Sequence, residues 1–349
     1  MLSEIRLPTR LISRPNAARS APLSGCANWL RGMTLIELMV AMTLGLMVLG
    51  VVAVIFSGTS GNRAGLERGG RLAENAAYAV EVLSDEVRMA GFFAETNFTG
   101  VAWQVPDPCA TALATQGWSL APFTAPVPIT GYQGSDAVPG CISNRKAGTA
   151  VIVTRRASAD TTPPASAANA YFLQASKCGS DPAPWVFSSD PSSFTLHKLD
   201  CATIADIRQG VVRSYYVSTC NECGSDNIPT LKRAELLGTV MTITPLVEGV
   251  ENLQVLYGFD TDGDGNPDVY RAGLSGVVGA ADNDWSNVVS VKLYVLARST
   301  DAEPGYVDSA KTFDLGPAGV TLPAGDSYKR LLLTSMVRLN NSAGVRETP

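Results

Sequence analysis

The longest apolar pattern in the chain runs from Met33 to Phe56, 24 residues with one charge, Glu37, and no proline. As an α-helix it extends about 36 Å at roughly 1.5 Å per residue, enough to cross a hydrocarbon core of about 30 Å. From 62 to 93 the pattern becomes amphipathic. Leu66, Ala73, Ala76, Ala77, Val80, Leu83, Val87 and Ala90 recur at three- and four-residue steps, while Glu74, Glu81, Asp85 and Arg88 fall mostly elsewhere. That face predicts packing against the protein's own sheet, and Gly91 reads as its C-cap. Between the two helical patterns, "SGTSGNRAG" (Ser57–Gly65) places three glycines, each weakening a helix by about 1 kcal/mol relative to alanine. It reads as a flexible joint.

Beyond the helix the pattern is that of strands. The clearest are Thr149–Arg156, Phe194–Leu199, Val211–Ser218, Thr239–Val247, Glu251–Phe259, Val288–Arg298 and Arg330–Leu339; in the 288–298 run Val289, Val291, Leu293, Val295 and Ala297 share one face. Residues 94–148 are rich in Pro, Gly and Ala and read as long connections, and Ala157–Ala170 as a low-complexity surface loop. The expected class is α+β: a long N-terminal helix on a mostly antiparallel sheet, with a loop-rich β head. The chain divides into 1–32, 33–56, 57–93 and a head at 94–349.

Charge sets the orientation. Residues 1–32 carry five arginines against Glu4, a net +4, which holds that end in the cytoplasm and the head outside it. An ordinary secretory signal, with an apolar region of about 7–15 residues followed by a small-residue cleavage site, fits poorly; here the small residue, Gly32, precedes the run. Cysteine usage agrees with export. A cut before Met33 removes Cys26 and leaves an even set, Cys109, Cys141, Cys178, Cys201, Cys220 and Cys223, suited to an oxidising compartment. Proximity favours Cys109–Cys141, Cys178–Cys201 and Cys220–Cys223. The whole chain is −5; without the +4 segment the body is −9, which argues against direct nucleic-acid binding.

The stretch "GMTLIEL" ahead of the apolar run resembles the type IV pilin signature. "LAENAAYAVEVLSDEVRMAGFF" (Leu72–Phe93), "VEGVENLQVLYGFDTDGDGNPDVY" (Val247–Tyr270) and "WSNVVSVKLYVLARS" (Trp285–Ser299) narrow the likeness to the PilW family of minor pilins. Two features depart from the pattern: a leader of 32 residues is long, and Met33 stands where phenylalanine is commoner. The resemblance implies cleavage after Gly32 by a prepilin peptidase and methylation at Met33. It also implies a single-pass inner-membrane precursor with a periplasmic head, and then a place at or near the pilus tip on the cell surface. Implied partners are other minor and major pilins, the inner-membrane assembly platform and a large tip adhesin. Implied roles are initiation of pilus assembly in support of twitching motility, adhesion or DNA uptake. Glu37 is the residue the apolar run does not explain, since an ionised group in hydrocarbon is costly and marks function. The resemblance pairs it with an N-terminal amine, its own or a neighbour's. The same signature fits a type II secretion pseudopilin, or an exported adhesive module displayed on a pilin anchor. No aromatic cluster in the head sequence argues for the module.

No catalytic constellation is present, and the reading is of a non-enzyme. His197, the one histidine, falls inside an expected strand. The CxxC of Cys220–Cys223 has a loop's composition and reads as a structural disulfide, with thiol exchange or zinc as alternatives. The remaining feature is "FDTDGDGNPDVY" (Phe259–Tyr270). Asp260, Asp262, Asp264 and Asp268, with Asn266, suit calcium, and Gly263 and Gly265 allow a sharp turn. Arg271 in the twelfth position excludes a full EF-hand. Calcium and a bare hairpin turn fit the pattern equally; the repulsion of four carboxylates in an unliganded turn favours the cation, and the usual Asp, Gly and Asn content of turns favours the bare hairpin.

Overall fold

The computed structural model describes residues 33–274, 282–307, 309–321 and 325–347, so the expectations for 1–32, including the cleavage point at Gly32, lie outside the described residues. The chain forms two units, one up to Ser60 and one from Gly61 onward. Helix α1 (Leu35–Met89) begins in the first unit, and every residue from Met33 to Thr59 is exposed. The helix runs unbroken through Ser57–Gly65, so the expected joint is not a break in this structure. Helix propagation is cooperative, and glycines between two established helical stretches face only the per-residue cost.

In the second unit α1 buries one stripe, Leu72, Ala76, Ala79, Leu83, Val87 and Ala90. Leu66 is 78% exposed and Ala73 and Ala77 are exposed, against expectation, while Leu72 and Ala79 point inward. Alanines occupy every side of this helix, so their spacing alone could not fix which side faces the sheet. The helix ends as expected: Gly91 takes φ +76°, where a glycine has no Cβ penalty, and its N–H donates to Arg155 O at 3.0 Å.

Two antiparallel sheets receive that stripe. The larger contains β1 (Ile129–Tyr132), β2 (Val151–Ala157), β3 (Phe172–Ala175), β4 (Trp185–Ser188), β5 (Ile207–Ser218), β6 (Thr230–Leu237) and β7 (Val240–Glu248). Its order is β7-β6-β5-β2-β1, with the β3–β4 hairpin joined to the start of β5. The smaller contains β8 (Val250–Phe259), β9 (Val269–Arg271), β10 (Val288–Arg298) and β11 (Arg330–Arg338), ordered β9-β8-β10-β11. Helix α2 (Asn340–Glu347) follows β11. Ala79, Leu83 and Val87 of α1 meet Ile152, Tyr215 and Leu231 of the larger sheet and Leu253, Val291 and Val295 of the smaller in one core. Burial of each such leucine or valine stabilises by about 1.5–3 kcal/mol.

The run Phe194–Leu199 is not a strand; only His197 pairs, in an isolated bridge with Ile204. Phe194 and Leu196 do alternate inward, but the backbone is held by side chains: Leu196 N donates to Gln174 Oε1 and His197 N to Asp181 Oδ2. The 94–148 stretch contains a small sheet of Ala102–Gln104, Ser119–Leu120 and Phe123–Pro126 before β1. It also contributes to an aromatic cluster with no counterpart in the sequence pattern: Phe93, Phe98, Trp118, Phe123, Trp185 and Phe187 pack with centroid spacings from 4.4 Å upward. Phe93 and Trp185 are buried at its centre, which makes the cluster a core and not a display platform. The three cysteine pairs nearest in sequence are bonded: Cys109–Cys141, Cys178–Cys201 and Cys220–Cys223.

The two sheets meet at Gly131 of β1, where a Cβ would collide with the phenol of Tyr257 in β8. That phenol is fully buried, burial pushes its pKa far upward, and its hydroxyl has no partner among the described residues. Gly131→Ala is expected to cost about 1–3 kcal/mol by overpacking. The double variant with Tyr257→Phe should recover only part of the loss, because the hydroxyl is the first atom met but the ring carbon Cζ would still lie 2.5 Å from the new Cβ. Urea midpoints of the four proteins check this, and equal losses in the single and double variants would refute it.

Candidate functional site

The start of α1 is built by Thr34, Glu37 and Leu38. Thr34 precedes the helix and its carbonyl accepts from Leu38 N at 3.1 Å. Its hydroxyl accepts from Glu37 N at 3.3 Å, while Glu37 Oε2 accepts from Thr34 N at 2.9 Å and from Thr34 Oγ1 at 3.0 Å. This is a reciprocal capping box, two otherwise orphaned N–H groups satisfied by two side chains. A carboxylate in the first turn also complements the positive end of the helix dipole. Glu37 therefore has a local role that the sequence reading missed, although Thr-x-x-Glu before an apolar run is a legible signal. Met33 lies just outside the helix and is 65% exposed.

At the other end of α1 sits a carboxylate that no sequence pattern singled out. Glu86 is buried. Its Oε1 accepts from Arg156 Nε at 2.9 Å and Thr154 Oγ1 at 3.3 Å; its Oε2 accepts from Arg213 Nη1 at 2.6 Å and Tyr215 Oη at 3.2 Å. Arg213 also reaches Glu235, which is paired with Arg233. Burial pushes the Glu86 carboxyl upward, but Arg213 and Arg156 outweigh it and hold it below its ordinary value. The network ties the helix to β2, β5 and β6.

The aspartate loop joins β8 to β9 as a hairpin. It brings Asp260, Asp262 and Asp268 together, with one oxygen from each inside a 4.8 Å group, the arrangement that could hold a hard cation such as calcium. Asp264 is outside that group and accepts from Asn266 N and Nδ2 instead. Asp260 is 1% exposed and already satisfied by Gly263 N, Gly265 N and the Arg346 guanidinium at 3.1 Å. Asp268 accepts from Thr261 N and Oγ1 at 2.7 Å. The repulsion argument for a cation thus loses force, because α2 supplies a positive charge of its own. Arg271 stacks over Phe259, 5.6 Å from the ring centre.

His197 Nδ1 donates to Asp181 Oδ1 at 2.8 Å, and Asp181 also accepts from Ser176 Oγ, which with two bonds from His197 holds its carboxyl down at about 2. Ser176 and His197 each bond to the carboxylate and no bond joins them, so these three residues do not form the Ser–His–Asp relay of a triad. Cys220 and Cys223 are tied to each other, with the Lys232 ammonium 3.5 Å from Cys223 Sγ.

Comparison with known families gives two matches. The prokaryotic N-terminal methylation motif covers residues 31–53, and Type IV Pilus-assembly protein W covers residues 214–341. The chain carries a prepilin-type N-terminal motif and a PilW domain. The first match spans the capped start of α1; the second spans β6 to β11 and the beginning of α2. Among solved structures the chain is similar to a type IV-like pilin from Thermus thermophilus, with 12% identity over 78% of this chain and 97% of that one and a TM-score of 0.34. No curated protein matches it.

Proposed function

We propose that this pilin is a minor subunit that helps to initiate type IV pili and remains at or near the tip. The observation that carries the reading is the union, on one chain, of the methylation motif at 31–53 with the pilus-assembly match at 214–341. The apolar helix between Met33 and Phe56 supports membrane anchoring, and the basic segment before it supports a cytoplasmic N-terminus with the head in the periplasm. The disulfides fit that oxidising compartment. Prepilin peptidase then cuts after Gly32, freeing the Met33 amine for methylation, and the subunit joins other minor and major pilins on the inner-membrane platform. A tip adhesin, twitching, attachment and DNA uptake belong to the same proposal.

Processing tests it. Intact mass and N-terminal sequence of the protein from membranes with and without the peptidase should differ by residues 1–32, and Gly32→Val should leave the long form in both. A mature protein beginning elsewhere than Met33, or normal processing of Gly32→Val, defeats the reading.

A further inference from the structure

A guanidinium does not shed its proton in a protein, so a buried one needs acceptors for its N–H groups and an anion for its charge. Strand β2 buries one that is short of both. Arg155 is 2% exposed. Its Nη1 donates to Thr130 Oγ1 at 3.2 Å and its Nη2 to Pro106 O at 2.7 Å, and both acceptors are neutral. Its Nε has no partner among the described residues. No carboxylate among them bonds to it either. The acid whose field reaches it is Asp107, which is exposed and whose Oδ1 accepts from Cys109 N. Burial accordingly pushes the Arg155 pKa down to about 10, which still leaves it charged at neutral pH.

The strand register shows where this side chain goes. Arg155 lies opposite Val212 of β5, and Ala157 opposite Gly210, and directly opposed residues share a face. Thr154 and Arg156 point to the other face, where both donate to Glu86. On the Arg155 face lies a cavity of about 20 Å³, lined by Arg155 itself with Gln116, Trp118, Pro126, Val212 and Leu236. That is room for one particle about the size of a water. Arg233 and Arg298 also have an unpartnered Nε, but both are only half-buried. Arg233 pairs with Glu235, and Arg298 lies over the Tyr328 ring at 4.3 Å. Among the described arginines, only Arg155 joins full burial to an unused donor and an unpaired charge.

We propose that this cavity binds a single chloride ion, held by the Nε–H of Arg155. The site is independent of pilus assembly and stands whether or not the chain is a pilin. A water in the same place accepts from Nε but leaves the charge unanswered, and an uncompensated buried charge is costly. A phosphate, a sulfate or a peptide carboxylate is too large for the space. A monatomic anion answers both the donor and the charge. It would also lock together the pieces that meet at Arg155. These are β1 through Thr130, the long connection through Pro106, and the end of α1, whose Gly91 N donates to Arg155 O.

Thermal unfolding of the full chain, solubilised in detergent, tests this. With sodium gluconate holding the ionic strength constant, raising chloride from about 1 to about 150 mM should raise the melting temperature by about 3 °C or more and approach saturation. Bromide should act as chloride does. Arg155→Met keeps the aliphatic length, removes the charge and the donors, and should lose the rise. A wild-type melting temperature indifferent to chloride overturns the proposal, as does an equal rise in folded Arg155→Met. If that variant does not fold, crystals of the wild-type chain grown in sodium bromide decide. An anomalous bromine peak within hydrogen-bonding reach of Arg155 Nε is expected, and a water there, or no peak, overturns the proposal.

Discussion

Glu86→Ala is expected to lower the unfolding free energy of the head by about 3–5 kcal/mol, the usual cost of removing one partner from a buried charge network. Arg156 and Arg213 have side chains only 13% and 19% exposed, and Arg156 would lose its carboxylate altogether. Arg213 would keep Glu235. Glu86→Gln should cost less, because the amide oxygen still accepts a bond, and it isolates the charge. The sign of the pH dependence follows from the lowered carboxyl. In the unfolded chain the group returns to its ordinary value near 4.5, so its contribution is complete above that pH and is lost as pH falls through the lower folded value. Asp181, Asp200 and Asp326, each held near 2, add acid sensitivity of their own. The diagnostic quantity is therefore the difference between wild type and Glu86→Gln in urea midpoint, which should be largest at neutral pH and shrink as pH falls below about 4.5. A difference constant with pH would show that the carboxylate is not what the arginines hold.

Glu86 also shows where sequence reading runs out. Beside Glu81, Asp85 and Arg88 it looks like one more solvated charge on an amphipathic helix, and its partners lie 68 to 129 residues away. The same limit hid β6. "TLKRAELL" is broken by Lys232, Arg233 and Glu235, yet these are accommodated within the sheet, Arg233 on Glu235 and Lys232 beside Cys223. Where alternation is purely apolar, as in Val288–Arg298, the strand is legible to its ends. Short-range pairs were legible too, since cysteines 3 to 32 residues apart bond as proximity favours. The aspartate hairpin could be read, but Arg346, 86 residues on, could not. Local spacing carries local structure, whereas buried charge is decided by which distant strands arrive.

The start of α1 gives the sharpest functional test, because two roles for Glu37 predict different things. If the carboxylate serves only the capping box with Thr34, glutamine should replace it, since Gln at that position of the box still accepts from the Thr34 N–H. If it serves assembly through an ion pair with a processed N-terminus, glutamine should fail. Cleavage after Gly32 would place a new amine on Met33, cationic near neutral pH with a reference pKa of about 7.7–8.0, one residue from the Thr34 N–H that Glu37 already binds. A carboxylate taken into an apolar fibre core stays charged only when paired, so the pair would select cleaved subunits in register. Glu37→Val should insert and be cleaved normally, because it removes a membrane penalty of about 2.5–3.5 kcal/mol or less. Both Glu37→Val and Glu37→Gln should nevertheless enter pili at least about tenfold less than wild type, the effect of losing roughly 1.4 kcal/mol per subunit. Quantifying the three proteins in sheared pili and in membranes separates the cases. Normal incorporation of Glu37→Gln with loss of Glu37→Val would assign Glu37 to the cap alone, and normal incorporation of both would remove it from assembly.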